Sequence, residues 1–571
     1  MDKIWFNFYQ YGRKKEVHID DRNIEDFIQK RFKKHSGNVA FESLGKELSY
    51  DELDRYSLQF ASFLQKKCGI KKGDRIALLV PNILQFIVAS LGAFRVGAVL
   101  CPLNPLYTKA EIKKLLWDGV DGKGKGAIKP KLIIALDKFA SNLQDFANNG
   151  DIENIVITKI GDLIGGLKGK IINFAFKHIK KEVPSYSIKN EIPFLDFLNY
   201  GPSIEKPDMD ISDDLILQFT GGTSGTIKAA VLTQKNVLSN IYQNLDSVTI
   251  DSGDGKHWTN NDTFLGILPL FHIYALNTSF LSAIGLGYKV ILVPNPRDIN
   301  SVVKTWAKSK VTITAGINTL FVKLLEHPKF NYTNINFNRL KALLSGGMAI
   351  QEKTYLALRE RTETEISVGY GLSETSPVLC MHDRFRKGYS SSVGLPHPST
   401  DIKILSDKNE ELGIGEIGEV CAKGPQVMKG YWGLEKETMD AFTEDGYFKT
   451  GDMGYIGING ELYLVDRKKD MINVSGLKVY PQEIESIVNK HPRIIESGAI
   501  STPDDLTGEA VALFVVKKDE ALTASEIIDY MKEELTNYKI PKVVTFIEEV
   551  PKSPIGKLLR RELRGYISKE S

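Results

Sequence analysis

QFTGGTSGTIKAAVLTQKN, residues 218–236, sets small, hydroxylated and Gly residues between two apolar runs and puts one lysine, Lys228, just beyond them. DLILQF (214–219) has strand texture and KNVLSNIYQNL (235–245) has helix texture, which leaves TGGTSGTIKAA (220–230) as the connection between them. Gly221, Gly222 and Gly225 let a ligand approach the backbone closely. The N–H groups and the hydroxyls of Thr220, Thr223, Ser224 and Thr226 suit an anion, and Lys228 adds positive charge. The stretch is not a Walker A loop, because two residues separate Gly225 from Lys228. Taken alone it reads as a phosphate cradle or as a surface loop of small residues.

Working outward, the same alternation of short apolar strands and helix-length segments recurs. TFLGIL (263–268), KVILVP (289–294), VTITAG (311–316) and ALLSGG (342–347) are further strands, and together they predict a large α/β core. IALLVPNILQFIVASLGAFRVGAVLCPLNP (76–105) is apolar enough to suggest a membrane span, but its punctuation argues against one. Pro81 breaks it after a strand, Asn82 is placed to cap a helix running to about Arg95, and Gly97 ends that helix before a second strand. From about Val393 short β-type runs joined by Gly-rich turns predict a β-rich subdomain reaching about Asp466. Beyond it, PQEIESIVNKH, VALFVVKK, ASEIIDYMKEEL and KVVTFIEEV form a compact α+β pattern.

Composition narrows the functional classes. The chain has 571 residues, more than one ordinary domain needs, and 74 Lys+Arg against 71 Asp+Glu leave +3 with no basic stripe for nucleic acid. Cys68, Cys101, Cys380 and Cys421 show no CxxC spacing, which speaks for a reducing, cytoplasmic setting and against a zinc site. The N-terminus lacks the pattern of a secretory signal.

Five further motifs give the opening loop its context: LPLFHIYALN (268–277), LLSGGMAI (343–350), GYGLSETSPV (369–378), DGYFKTGDMG (445–454) and PKSPIGKLLRRELR (551–564). With VDRKKDMINVSGLKVYPQEIE (465–485), they resemble the adenylate-forming superfamily of acyl-CoA synthetases over nearly the whole chain, and its long- and medium-chain fatty acid ligases most. The resemblance implies an acyl-CoA synthetase-like α/β fold: a large N-terminal AMP-binding domain (1–466, with the β-rich subdomain at about 393–466) and a small mobile α+β domain (467–571) hinged at about 467–470. It also implies ATP, Mg²⁺ and coenzyme A as cofactor or co-substrates and a fatty acid as the acid.

Residue by residue, the resemblance makes Thr220, Gly221, Gly222, Thr223, Ser224, Gly225 and Lys228 the phosphate clamp. Ile227 and Ala229 stand where the family has Pro and Gly. Gly346, Gly347 and Met348 would line the adenine and acyl pocket. Within Gly369, Tyr370, Gly371, Ser373 and Glu374, Tyr370 would stack on adenine, and Glu374 with Thr223 would hold magnesium. Asp452 would take the ribose hydroxyls beside Arg467, and Lys469 would be the hinge. Ser475, Gly476 and Leu477 would line the pantetheine tunnel, Lys557 would be the adenylation lysine, and His272 would gate the thiol route.

The alternatives are an aryl or short-chain acid ligase, a fatty acyl-AMP ligase, or a noncatalytic nucleotide- or lipid-binding relative. In TKIGDLIGGLKGKIINFAFKHIKKEVP (158–184), Ile171, Ile172, Ala175 and Ile179 fall on one predicted helical face among Lys170, Lys177, Lys180 and Lys181. Peripheral contact with the inner face of the cell membrane is therefore left open, as is a homodimer.

Overall fold

The unit from Arg75 to Pro102 folds as its punctuation requires. A strand (Arg75–Leu79) leads through a helix (Leu84–Arg95) to a parallel neighbouring strand (Val99–Pro102), with Arg75 paired to Val99. All twelve residues of the helix are buried, so its apolar character belongs to a packed core. The cap differs from expectation. Ile83 takes the N-cap position, while the buried Asn82 side chain donates to the Leu268 carbonyl at 2.7 Å and accepts from the Leu270 N–H at 2.8 Å. Two buried backbone groups of a distant segment outbid a single helix N–H for that amide.

This computed structural model describes residues 3–10, 12–221, 227–251, 253, 255–332, 335–553 and 558–567. The unit sits inside an eight-stranded sheet whose centre is parallel. A second, nine-stranded sheet has a parallel centre built from Thr263–Gly266, Lys289–Leu292, Ile313–Gly316, Ala342–Ser345 and Ile366–Gly371. Helices cover these sheets, as buried parallel strands demand. A four-stranded antiparallel sheet runs from Asp401 to Arg467, and a separate five-stranded sheet with its own core begins at Ile472. The fold is thus the α/β architecture with a small C-terminal α+β part. No helix among the described residues is long and apolar enough to cross a membrane.

The opening motif departs from its expected strand, loop and helix order. Asp214–Gly221 is followed by a second strand, Ile227–Thr233, paired back antiparallel before the Gln234–Thr249 helix begins at a Thr233 cap. The apolar IKAAVLT run gains a partner on each side, because Gly430–Tyr431 pairs with its outer edge at Val231 and Ala230. Lys228 is therefore a strand residue facing Thr220 across the hairpin.

His397 is fully enclosed. Its Nδ1 accepts from the Arg13 guanidinium at 3.2 Å, and the Ser247 hydroxyl, which donates to the Gln243 carbonyl, lies 3.3 Å from it. Burial, helped by the Arg13 cation, holds its pKa well below the ordinary 6.5, so the fold favours the neutral ring. A depressed histidine contributes stability that is present above the unfolded value and lost as pH falls through about 6.5. In His397→Gln, the extra loss of stability between about pH 7.5 and about pH 5.5 should shrink by roughly 1.4 kcal/mol, one pH unit of a single proton. Thermal midpoints of both proteins at the two pH values measure this. Equal acid-induced shifts would refute the assignment.

Candidate active site

Two buried carboxylates organise the site. Tyr370 is the penultimate residue of the Ile366–Gly371 strand, and its hydroxyl donates to Asp452 at 2.6 Å. Asp452 lies on the Phe448–Ile456 strand directly across from Arg467, whose Nε reaches the second carboxylate oxygen at 2.7 Å. One aspartate thus ties the nine-stranded sheet, the antiparallel sheet and the last residue of that sheet together. Gly371 is required for the chain to turn there, since a Cβ would lie 1.9 Å from the Pro377 carbonyl oxygen.

Glu374 follows on the Ser373–Thr375 turn, and it too is buried. Burial raises its pKa, against the lowering pull of its own backbone N–H, of the Tyr431 hydroxyl and of the Arg467 charge. Tyr431 donates to Glu374 Oε1 at 3.0 Å, and the Lys228 ammonium sits 4.7 Å from the centre of the Tyr431 ring. A chain of contacts therefore runs Lys228, Tyr431, Glu374, with the Tyr370, Asp452 and Arg467 group on the other side of the same turn. A tyrosine in KGYWG carries no motif of its own, so sequence reading missed Tyr431.

A seam of buried amides holds this turn. On the Gln234–Thr249 helix, which continues the Lys228 strand, Asn240 accepts from the Val378 N–H at 3.1 Å and donates to the Val378 carbonyl at 2.8 Å. Asn277 donates to the Ser376 carbonyl at 2.6 Å, and Asn236 donates to the carbonyls of Pro425 and Val427. Through Asn240 and Asn236 the segment after Glu374 and the segment before Tyr431 are thereby referenced to one helix, and Asn277 adds a hold from the Leu276–Leu281 turn. In sequence, amides at positions 236, 240 and 244 imitate a solvated helix face. Their burial appears only in the fold.

Gly346 and Tyr274 come together from two other elements. A Cβ on Gly346 would meet the Tyr274 ring at 3.1 Å, and Gly347 has φ +76°. His272 caps the short Ile273–Ala275 helix by accepting from the Tyr274 N–H at 3.3 Å. Gln218 joins this corner to the opening strand by donating to the Phe271 carbonyl at 3.2 Å. Met348 lies in the bend after the Ala342–Ser345 strand, Gly369 within the Ile366–Gly371 strand and Ser373 at the start of the Ser373–Thr375 turn.

The C-terminal residues are placed apart. Ser475 and Gly476 form the tip of the Ile472–Val474/Leu477–Val479 hairpin, with φ +49° and +85°, and Leu477 is half exposed. Among the described residues, this tip makes none of the hydrogen bonds or ion pairs that tie Asp452 and Glu374. Lys469 lies beside Asp470, and burial lowers its pKa. Gly222, Thr223, Ser224, Gly225, Thr226 and Lys557 lie outside the described residues; of Gly221 only the strand backbone is described.

Comparison with known proteins agrees with this geometry. Residues 28–432 match the AMP-binding enzyme family and residues 483–557 match the AMP-binding enzyme C-terminal domain. The chain belongs to the AMP-binding enzyme family. It is 39% identical to the long-chain-fatty-acid–CoA ligase of Salmonella typhimurium over 99% of this chain and 98% of that one. It is 32% identical to the ligase of the same name from Bacillus subtilis, over 98% and 97%. Among solved structures, ATP-bound MatB from Rhodopseudomonas palustris superposes with a TM-score of 0.80 at 23% identity, covering 95% of this chain and 98% of that one. The Mycobacterium tuberculosis fatty acyl CoA synthetase superposes at 0.69 with 26% identity, covering 96% and 99%.

If the amide seam sets the turn, Asn240→Ala takes away the partner of the buried Val378 N–H, worth about 1–3 kcal/mol, and leaves the Val378 carbonyl with only the Gln426 amide at 3.5 Å. Its thermal midpoint should fall by several degrees, whereas Asn149→Ala, at an exposed position, should leave the midpoint unchanged. Equal midpoints for the two variants would contradict the seam.

Proposed function

We propose that this chain activates a long- or medium-chain fatty acid with ATP and passes the acyl group to coenzyme A. The observation that carries the reading is the pair of buried carboxylates, Asp452 held by Tyr370 and Arg467, and Glu374 joined through Tyr431 to Lys228 on the Ile227–Thr233 strand. In this reading the fatty acid carboxylate attacks the α-phosphorus of ATP, the bond to pyrophosphate breaks, and an acyl-adenylate forms. The thiol sulfur of CoA then attacks the acyl carbon, gives up its proton, and AMP leaves as the thioester forms.

Each residue has a physical task. The stretch from Thr220 to Lys228, with Gly221, Gly222, Thr223, Ser224 and Gly225, supplies N–H groups, hydroxyls and a cation to the phosphates. Asp452, preset by Arg467 and Tyr370, offers acceptors to the ribose hydroxyls, and Tyr370 offers a ring face to adenine. Gly346, Gly347 and Met348 border adenine and the acyl chain, and His272 at the adjoining corner gates the thiol path. Lys557 bridges the attacking carboxylate and the α-phosphate and so offsets their repulsion.

Mg²⁺ fits this donor set. Glu374 is a hard oxygen ligand whose burial leaves its charge poorly compensated, and Glu374 with Thr223 would hold the ion. Bound there, the ion would neutralise phosphate charge. We assign residues 1–466 to the AMP-binding domain and 467–571 to a C-terminal domain that turns at about 467–470. The turn about Lys469 carries Ser475, Gly476 and Leu477 to the site after adenylation, and exclusion of water protects the reactive anhydride.

AMP release measured over acids from acetate to palmitate plus an aryl acid, with and without CoA, tests the reading. Turnover should peak with the longer fatty acids, require CoA to continue, and vanish in Lys557→Ala. A maximum with the aryl acid or with acetate would overturn the substrate class.

Tyr431→Phe keeps the ring under Lys228 and removes the hydroxyl that stabilises ionised Glu374. Loss of a hydrogen bond to a charged group should raise KM for Mg·ATP roughly ten-fold. The hydroxyl lowers the Glu374 pKa, so the acid limb of kcat/KM should move to higher pH in the variant. An acid limb that stays put or moves to lower pH would contradict the role.

A further inference from the structure

The Pro481–Val488 helix opens without a cap of its own. Tyr480 stands at the N-cap position and makes no side-chain cap bond, and Pro481 has no N–H, so the Gln482 N–H is the first donor the helix leaves over. It donates to Asp466 Oδ2 at 2.6 Å. Asp466 belongs to a different sheet: it lies on the Leu462–Arg467 strand, paired with Met453, before the turn assigned to residues 467–470. The helix that follows the turn is therefore capped by a carboxylate that precedes it, and the negative charge suits a helix N-terminus.

The other oxygen of Asp466 accepts from the Arg467 N–H at 2.7 Å and lies 3.7 Å from Arg560, which opens the Arg560–Ile567 helix three residues after Lys557. Arg560 is bound mainly on its own side of the turn. Its Nη2 takes both oxygens of Glu485 at 2.9 and 2.8 Å, Nε donates to the Ala499 carbonyl at 3.2 Å, and Nη1 reaches Asp470 at 3.4 Å. Parting from Asp466 thus leaves Arg560 paired and the C-terminal core whole. Asp466, with a side chain only 2% exposed, would lose two of its three partners.

Other links between the two parts are weaker. Lys478 pairs with Asp407 at 2.6 Å, and Lys353 donates to the Asn489 carbonyl at 3.0 Å. Both links are exposed, where such bonds contribute little. The Asp466 bonds are buried and carry charge, which makes them the stronger hold on the present orientation.

We propose that Asp466 is a latch: by capping the Pro481–Val488 helix and pairing with Arg560 it holds the C-terminal part in the orientation that leaves the Ser475–Leu477 tip unbonded to Asp452 and Glu374, and the turn that brings the tip to the site breaks both bonds. The inference rests on the two-step reading with a turn at about 467–470. Asp466 touches no substrate in it; it is a positioning residue that sets how often the turn occurs.

A distance measurement without substrate tests the latch by itself. The four native cysteines are buried, so spin labels go to Met439→Cys and Leu506→Cys, which are 77% and 89% exposed and lie on opposite sides of the turn. With Asp466 intact, the labelled protein should show one dominant distance. Adding Asp466→Ala should raise the share of a second distance roughly ten-fold, and Asp466→Asn, which keeps an oxygen for the Gln482 N–H, should raise it less. Identical distributions in all three proteins would overturn the proposal, as would two equally populated distances before Asp466 is changed.

At saturating Mg·ATP, the rate of acyl-adenylate formation is then compared with the rate at which CoA consumes acyl-adenylate supplied ready-made. In Asp466→Ala the second should gain on the first by roughly ten-fold. Damage to the fold alone would slow both steps alike, and an unchanged ratio would contradict the latch. Distances that shift as expected in a protein that makes no adenylate from any acid would sink the ligase reading and leave the latch standing.

Discussion

A carboxylate removed from water must be compensated, and the structure turns on how Asp452 meets that demand. Its two oxygens are taken by Tyr370 and Arg467, side chains from different sheets, so a single buried charge fixes the nine-stranded sheet against the antiparallel one. Arg467 is also the end of its strand, five residues before the C-terminal sheet begins at Ile472. The point at which a nucleotide sugar would be held is therefore the point at which the two parts of the chain part company. Strain or charge sensed at one is mechanically close to the other.

Glu374 is the less compensated partner, and that difference suits a different task. Asp452 has a guanidinium in contact, whereas Glu374 has one tyrosine hydroxyl and a raised pKa. A buried carboxylate with so little compensation favours a cationic partner. The amide seam then explains how an uncomfortable carboxylate stays in place: Asn240 and Asn277 grip the backbone after it with bonds that involve no net charge.

Much of the architecture was legible in the sequence because local punctuation and tertiary demand agreed. Pro81 and Gly97 bracket the Leu84–Arg95 helix, and the strands on each side are apolar enough for a parallel interior. Reading failed where a partner decided the outcome. IKAAVLT became a strand because two other strands offered edges, and Asn82 left its cap for the Leu268–Leu270 backbone. Tyr370, Glu374, Asp452 and Arg467 were expected from motif resemblance, and the fold joins the side chains of Tyr370, Asp452 and Arg467. Tyr431 and Asn240 were not found, since a lone tyrosine and a polar helix face have no signature until something packs on them. A wider turn with i to i+5 hydrogen bonding at Ala175–Ile179 was equally invisible to a fixed helical period.

The most direct test of the account is to look for the intermediate. The protein would be incubated with Mg·ATP and palmitate in the absence of CoA, quenched, and analysed by mass spectrometry before and after a CoA chase. The account predicts palmitoyl-adenylate held in about a one-to-one ratio with the enzyme, consumed on adding CoA with palmitoyl-CoA and AMP appearing together. ATP cleaved to ADP and phosphate, or palmitoyl-CoA formed with no adenylate preceding it, would contradict the account.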